Sequence, residues 1–231
     1  MTTKMTVIMV LVVLGLFGKN QTTAQITPAN MALIPAGSFQ MGDTFNEGES
    51  NELPLHMVYV STFYMDKYEV TKALWDEVYQ WAIMNGYSFD NSGSWYDGQN
   101  RSRGNNHPVH TINWYDVVKW CNARSEKELR KPAYYTSATQ TNVYRTGQLD
   151  IQNNWVKWDA GYRLSTEAEW EKAARGGVSG RRFPWIDVDT ITHSQANYYS
   201  YSNYVYDISP TRGRHPTFAI GSAFVLPLLV Q

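Results

Sequence analysis

The side chains of this 231-residue chain best suited to act as nucleophile, base or soft-metal ligand are one cysteine, Cys121, and five histidines: His56, His107, His110, His193 and His215. A lone cysteine forms neither a disulfide within the chain nor a two-thiolate metal site. As a nucleophile it would need an exposed, electropositive setting. Lys119, Arg124 and Lys127 are near it in sequence, but Cys121 falls on an apolar helical stripe and reads as a buried, inert thiol. His107 and His110 flank Pro-Val, and in an extended segment residues three apart point to opposite faces. His193 and His215 sit among turn residues with no carboxylate at a recognised ligand spacing. The two-histidine, one-carboxylate set of a non-haem iron oxygenase cannot be assembled, and no catalytic residue is assigned.

Three helices must position these groups. The first follows Thr71, a good N-cap, with Leu74, Val78, Trp81 and Ala82 on one stripe and Gly86 as its stop. The second follows Asn113 and places Trp114, Val117, Val118 and Cys121 on one face. In the third, Thr166 and Glu169 form a capping box, each satisfying a backbone N–H of the other. Trp170, Ala173 and Ala174 are its apolar face, Glu171 and Arg175 an i,i+4 pair, and Gly176-Gly177 its end. Strands are expected as two short pieces within 31–41, one across 57–64, and brief runs at 133–135, 143–145 and 155–158. Residues 43–54 read as an acidic loop, and from Arg182 onward there are turns and aromatics without a long periodic segment.

Composition narrows the class. A net charge of −1 gives no nucleic-acid footprint, and no basic run marks a membrane surface. Nine Trp and sixteen Tyr supply large buried areas and polar tips, which stabilise a domain with little regular structure and equally suit a binding surface. Lys4, the apolar run from Met5 to Phe17 and the small residues Thr22 and Ala24 read as a secretory signal, residues 1–24, too short to span a bilayer comfortably. The chain is therefore expected to be exported, to the periplasm or the extracellular space, with no stable membrane span after cleavage.

Several segments in order carry a resemblance. They are Met31-Ala-Leu-Ile-Pro-Ala-Gly-Ser-Phe-Gln-Met-Gly42, Glu52-Leu-Pro-Leu-His56 and Phe63-Tyr-Met-Asp-Lys-Tyr-Glu-Val-Thr71. His107-Pro-Val-His-Thr-Ile-Asn-Trp114, Tyr162-Arg-Leu-Ser-Thr-Glu-Ala-Glu-Trp-Glu-Lys-Ala-Ala-Arg-Gly-Gly177, Phe183-Pro-Trp185 and Ala196-Asn197 complete the set. Together they resemble the formylglycine-generating enzyme family, the sulfatase-modifying factor domain, from Met31 to about Gly221. Ser165 stands where the family usually has proline. The resemblance implies an irregular, coil-rich α+β fold related to C-type lectins. It implies oxidation of a cysteine in an unfolded sulfatase, with oxygen and a copper ion held by two cysteines. It also implies calcium in the coil-rich half: Asn197 aligns with a ligand position, Tyr198 would give a backbone carbonyl and Asp207 a further ligand. The alternative for Asn197 is a turn residue in an Asx motif. His56 matches a family histidine with a structural hydrogen-bonding role.

The family's later Gly-Asn-Val-Trp-Glu-Trp and cysteine-pair segments have no counterpart. The family-like part is residues 25–221, and 222–231 form an apolar tail outside the pattern. The fold is accordingly expected to be incomplete at the C-terminus, as in a truncated or frameshifted copy, and the chain to be of low stability. Copper ligands are absent. Three functions stand at this point: a sulfatase-modifying-type protein inactive as it stands, with an unfolded sulfatase or another exported protein as partner; an exported non-catalytic binding module with aromatic loops at 93–104 and 198–206; and a non-haem iron oxygenase of the wider superfamily.

Overall fold

Capped 3.6-residue stripes make the helices, and short runs rich in β-branched, aromatic and other apolar residues make most of the antiparallel strands. A computed structural model of the protein describes residues 12–15, 30–94, 104–185, 187–196 and 198–214. The strands are β1 (Val12–Gly15), β2 (Met31–Ile34), β3 (Gly37–Met41), β4 (His56–Val60), β5 (Phe63–Asp66), β6 (Tyr162–Leu164), β7 (Tyr199–Ser200) and β8 (Gly213–Arg214); the helices are α1 (Lys72–Met84), α2 (Trp114–Lys127) and α3 (Glu167–Arg175). The mixture of few helices, small sheets and much coil is the α+β fold expected.

The chain divides into two units, one of residues up to 34 with 62–164, the other of 35–61 with residues from 165 onward. In the first, a four-stranded antiparallel sheet has the order β2-β5-β1-β6. Its core joins that sheet to α1 and α2 through Met31, Tyr64, Trp75, Val78, Val117, Val118, Trp120 and Tyr162. The Trp75 and Trp120 rings stack with centroids 5.4 Å apart. In the second unit, β3 and β4 form a hairpin covered by α3. Lys172 on α3 donates to the carbonyl of Gly37 at 2.6 Å. Gly42 N donates to Glu171 at 3.0 Å, and Arg175 donates to the Gly42 carbonyl at 2.8 Å. The Glu171–Arg175 pair thus anchors the hairpin as well as the helix.

All three expected caps are made. Thr71 accepts from Leu74 N at 3.1 Å, and Asn113 and Thr166 each complete a capping box, with Asp116 and Glu169. Gly176 takes the left-handed conformation, φ 58°, that favours glycine at a helix end. Three expectations need correction. The strand across 57–64 is two strands in different sheets, broken at Ser61-Thr62. The runs at 133–135, 143–145 and 155–158 are isolated bridges, Tyr134 to Val156 and Tyr135 to Val143, not strands. The α1 stripe turns by one residue, so that Trp75 is fully buried while Leu74 and Trp81 are half-covered. Val12–Gly15, read above as part of a leader, pairs on both sides within the first sheet. The remaining residues of the expected leader, the tail 222–231 and residues 95–103 of the expected aromatic stretch lie outside the described residues.

Candidate functional site

Helix α2 is buried nearly all round, from Asp116 to Ser125, so its polar side chains are what the first unit offers for chemistry. Cys121 has no solvent exposure. Burial pushes its thiol up to about 12, against the opposing pull of Arg124. The thiolate that would attack a substrate or bind a soft metal is scarcely populated at neutral pH. The copper site the resemblance implies needs two thiolates; the chain has one cysteine, and it is walled in. These residues do not fit copper.

The neighbours of Cys121 position rather than react. Asn122 accepts at Oδ1 from the N–H groups of Ala133 and Tyr134 and donates at Nδ2 to the carbonyls of Tyr134 and Tyr144, all between 2.8 and 3.1 Å. It does for the coil after α2 what a neighbouring strand would do. Arg124 reaches Asp66 with two N–H donors, at 2.6 and 3.2 Å. Burial works against its charge, and the paired carboxylate outweighs that and raises its pKa. Lys119 donates to the Gly147 carbonyl at 2.9 Å, and burial lowers its pKa against the influence of Asp116 and Asp90.

The segment carrying His107 and His110 runs beside the start of α1. Val109 N donates to Val70 O at 3.0 Å and Lys72 N to His107 O at 2.8 Å. His110 exchanges both backbone bonds with Ser94, and its Nδ1 lies 2.8 Å from Thr111 Oγ1. The ladder, not a ligand set, explains this His-Pro-Val-His run. His56 is exposed at the start of β4 with Nδ1 2.9 Å from Pro54 O, a local hydrogen bond of the kind expected of it. Glu69, at the end of the run after β5, went unnoticed in the sequence. Burial pushes its carboxyl up to about 7. An acid placed between Tyr68 and Val70 was the available signal.

In the second unit, Asp207 is a hub. Its Oδ1 accepts from Tyr198 OH at 2.6 Å and from Ser209 N at 3.1 Å, its Oδ2 from Tyr201 N at 2.9 Å, and Arg212 lies 3.2 Å away. Burial alone would raise this carboxyl; the donors from Tyr198, Ser200, Ser209 and Tyr201 outweigh it and hold it below its ordinary value. Tyr198 and Asp207 are thus brought together, through the tyrosine hydroxyl. Asn197 and His215 lie outside the described residues. A calcium ion needs oxygens with free lone pairs; the Asp207 oxygens face N–H and O–H donors and a guanidinium, so this arrangement does not fit the ion. His193 packs against Tyr198 with ring centroids 4.9 Å apart, and its backbone N–H donates to Ser209 Oγ at 3.0 Å. Among the described residues, no three His, Cys, Asp or Glu side chains gather as a metal-ligand group.

The same unit presents aromatics to solvent. Tyr199, Tyr201, Tyr204, Val205 and Ile208 are exposed, Val205 by 93%. Tyr199 pairs with Tyr201 and Tyr204 with Tyr206, at 4.9 and 5.2 Å between centroids. A cleft of about 360 Å³ lies against Phe45, Arg181, Phe183, Trp185, Asp187 and Asp189. Arg182 lies over the rings of Phe45 and Tyr206 and pairs with Glu47 at 2.9 Å and with Asp189. No helix among the described residues is long and apolar enough to cross a membrane.

A family model for the sulfatase-modifying factor enzyme 1-like domain matches residues 16–217. The chain is 32% identical over 163 residues to the chaperone protein LppX of Paenibacillus barcinonensis, covering 68% of this chain and 49% of that protein. It is 31% identical over 171 residues to the formylglycine-generating enzyme of Streptomyces coelicolor, covering 67% and 49%. The chain thus spans about half the length of these relatives. The crystal structure of CarF superposes with a TM-score of 0.58 at 27% identity, over 78% of this chain and 70% of that one.

Proposed function

Because the chain belongs to the sulfatase-modifying factor enzyme 1-like domain family, we propose that these 231 residues are an exported, non-catalytic binding module built on the formylglycine-generating scaffold. The observation that carries this reading is Cys121: the single thiol of the chain is buried to zero exposure, with its pKa pushed up to about 12. The family's oxidation would need a second thiolate beside an accessible one, and this sequence supplies neither. Export rests on the leader, from Lys4 through the apolar run to Ala24.

The binding surface is the tyrosine face of the second unit. Exposed Tyr side chains offer flat apolar area and a hydroxyl at low entropic cost, and a group of exposed large apolar residues marks an interaction site more often than a bare surface. The partner is another exported polypeptide, an unfolded sulfatase among the candidates. Copper(I) and a cysteine peptide carrying a sulfatase motif form the decisive assay. The peptide is expected to be recovered with its thiol intact, and aldehyde formation dependent on this chain and copper would overturn the non-catalytic reading. Peptide binding is expected to fall at least tenfold in the double variant Tyr201→Ser, Tyr204→Ser; equal binding would remove the tyrosine face from the proposal.

A further inference from the structure

The central position in the first sheet is filled by the wrong kind of segment. β1 lies between β5 and β6 and pairs antiparallel with both: Val13 opposite Met65 and Arg163, Leu14 opposite Tyr64 and Tyr162, Gly15 opposite Phe63 and Val12 opposite Leu164. Yet Val12–Gly15 falls inside the apolar run of the leader, and the family match begins only at residue 16. The other three strands of the sheet all lie within that match. Among the described residues β5 and β6 are joined to each other only through β1, so without it each would present an unpaired edge. Those edges border the core of the unit, for Phe63, Tyr64, Met65 and Tyr162 are all buried. A gap there would leave backbone N–H and C=O groups without partners beside apolar side chains, which is costly. Unpaired edges recruit another strand for that reason.

We propose that the gap between β5 and β6 is a strand-acceptor slot, which the leader fills while it is attached and an extended apolar segment of another polypeptide fills once the leader is removed. The register specifies the occupant: about four residues, extended, antiparallel to both neighbours, apolar and β-prone like Val-Val-Leu, with a small residue tolerated opposite Phe63. The pairing is main-chain on both sides, so composition matters more than an individual side chain. The leader then has a second role as a placeholder, keeping the two edges paired until it is separated. This rests on the leader being separable and is independent of whether the module has oxidase activity.

The test uses the full chain with a site-specific protease sequence inserted between Ala24 and Gln25, folded first and cut afterwards. The released fragment is expected to co-elute with the domain on gel filtration, and amides in 63–66 and 162–164 to stay protected from hydrogen exchange. A labelled synthetic peptide of residues 6–18 with a terminal lysine tag should displace it. The same peptide with Val13→Pro, which loses a ladder N–H in a central strand, should bind at least tenfold more weakly. In the uncut chain, Val13→Pro should lower protection in 63–66 and 162–164 at least tenfold while amides of α3, in the other unit, are unchanged; if α3 also loses protection the variant has unfolded, and the peptide competition on the cut wild-type chain decides. Equal binding of the two peptides, or departure of the fragment with undiminished protection in both segments, would overturn the proposal.

Discussion

Replacing Asn122 by alanine tests how a coil-rich segment can stand beside a helix without a sheet. The Asn122 side chain is buried and makes four hydrogen bonds to the backbone of residues 133, 134 and 144. The Tyr134 carbonyl keeps a second bond, from Tyr144 N at 3.1 Å. In Asn122→Ala the N–H groups of Ala133 and Tyr134 and the carbonyl of Tyr144 lose this partner. A buried polar group stripped of its partner costs roughly 1–3 kcal/mol. Three such groups, partly rescued by water entering the space left behind, give a loss of about 4 kcal/mol, a large share of a typical domain stability of roughly 5–15 kcal/mol. At roughly 2–4 °C per kcal/mol for a chain of this size, the melting temperature should fall by about 10 °C. Urea unfolding followed by tryptophan fluorescence gives the free energy, and hydrogen exchange at Ala133 and Tyr134 localises it. Asn154→Ala, at an exposed position, should stay within about 0.5 kcal/mol of wild type. A loss below about 1 kcal/mol in Asn122→Ala, with both amides still protected, would refute the idea that one side chain substitutes for a strand.

Three further outcomes follow from the buried and paired groups. Cys121 should resist thiol reagents at pH 8 in the folded chain and react within seconds in urea; rapid labelling of the folded chain would place it at a surface. Glu69, raised by burial from 4.5 to about 7, favours the folded state fully below pH 4.5, and that contribution disappears as pH rises through 7. Glu69→Gln should therefore gain roughly 2 kcal/mol on wild type between pH 5 and pH 8, an amount reduced from the full shift by the partial solvent contact of the side chain; urea titrations showing a constant difference across that range would remove the buried carboxyl from the account. Calcium at Asn197, Tyr198 and Asp207 would compete with Arg212 for Asp207, so millimolar calcium should leave the wild-type melting temperature unchanged and raise that of Arg212→Gln; a clear rise in the wild type would show that the ion takes the carboxylate despite the guanidinium.

The helices were legible because their signals are local. Thr71, Asn113 and the Thr166–Glu169 box satisfy N–H groups within one turn of themselves, so a short window of sequence contains the whole interaction. The burial of Cys121 followed from the same periodicity. The brief strands after α2 were misread because β-prone residues at 133–158 say nothing about what pairs with them; their backbone groups go to Asn122 and to isolated bridges. Nothing in the local spacing of Lys119, Asn122 and Arg124 marks them as buried; the packing of coil and sheet around α2 encloses them. Glu69 and Asp207 likewise acquired their character from burial and from donors distant in sequence or brought in by loops.

For this protein, then, the amino-acid sequence by itself determined the capped helices, the single inert thiol and the ordered motifs that place it in its family. Those properties depend on residue identity and on contacts within a few positions. Tertiary structure alone decided that Val12–Gly15 pairs between β5 and β6, that an asparagine stands in for a strand, and that the Arg212 guanidinium comes within 3.2 Å of Asp207. Each of these depends on groups brought together from separate parts of the chain, and the free energy of a buried hydrogen bond or charge is set by those surroundings.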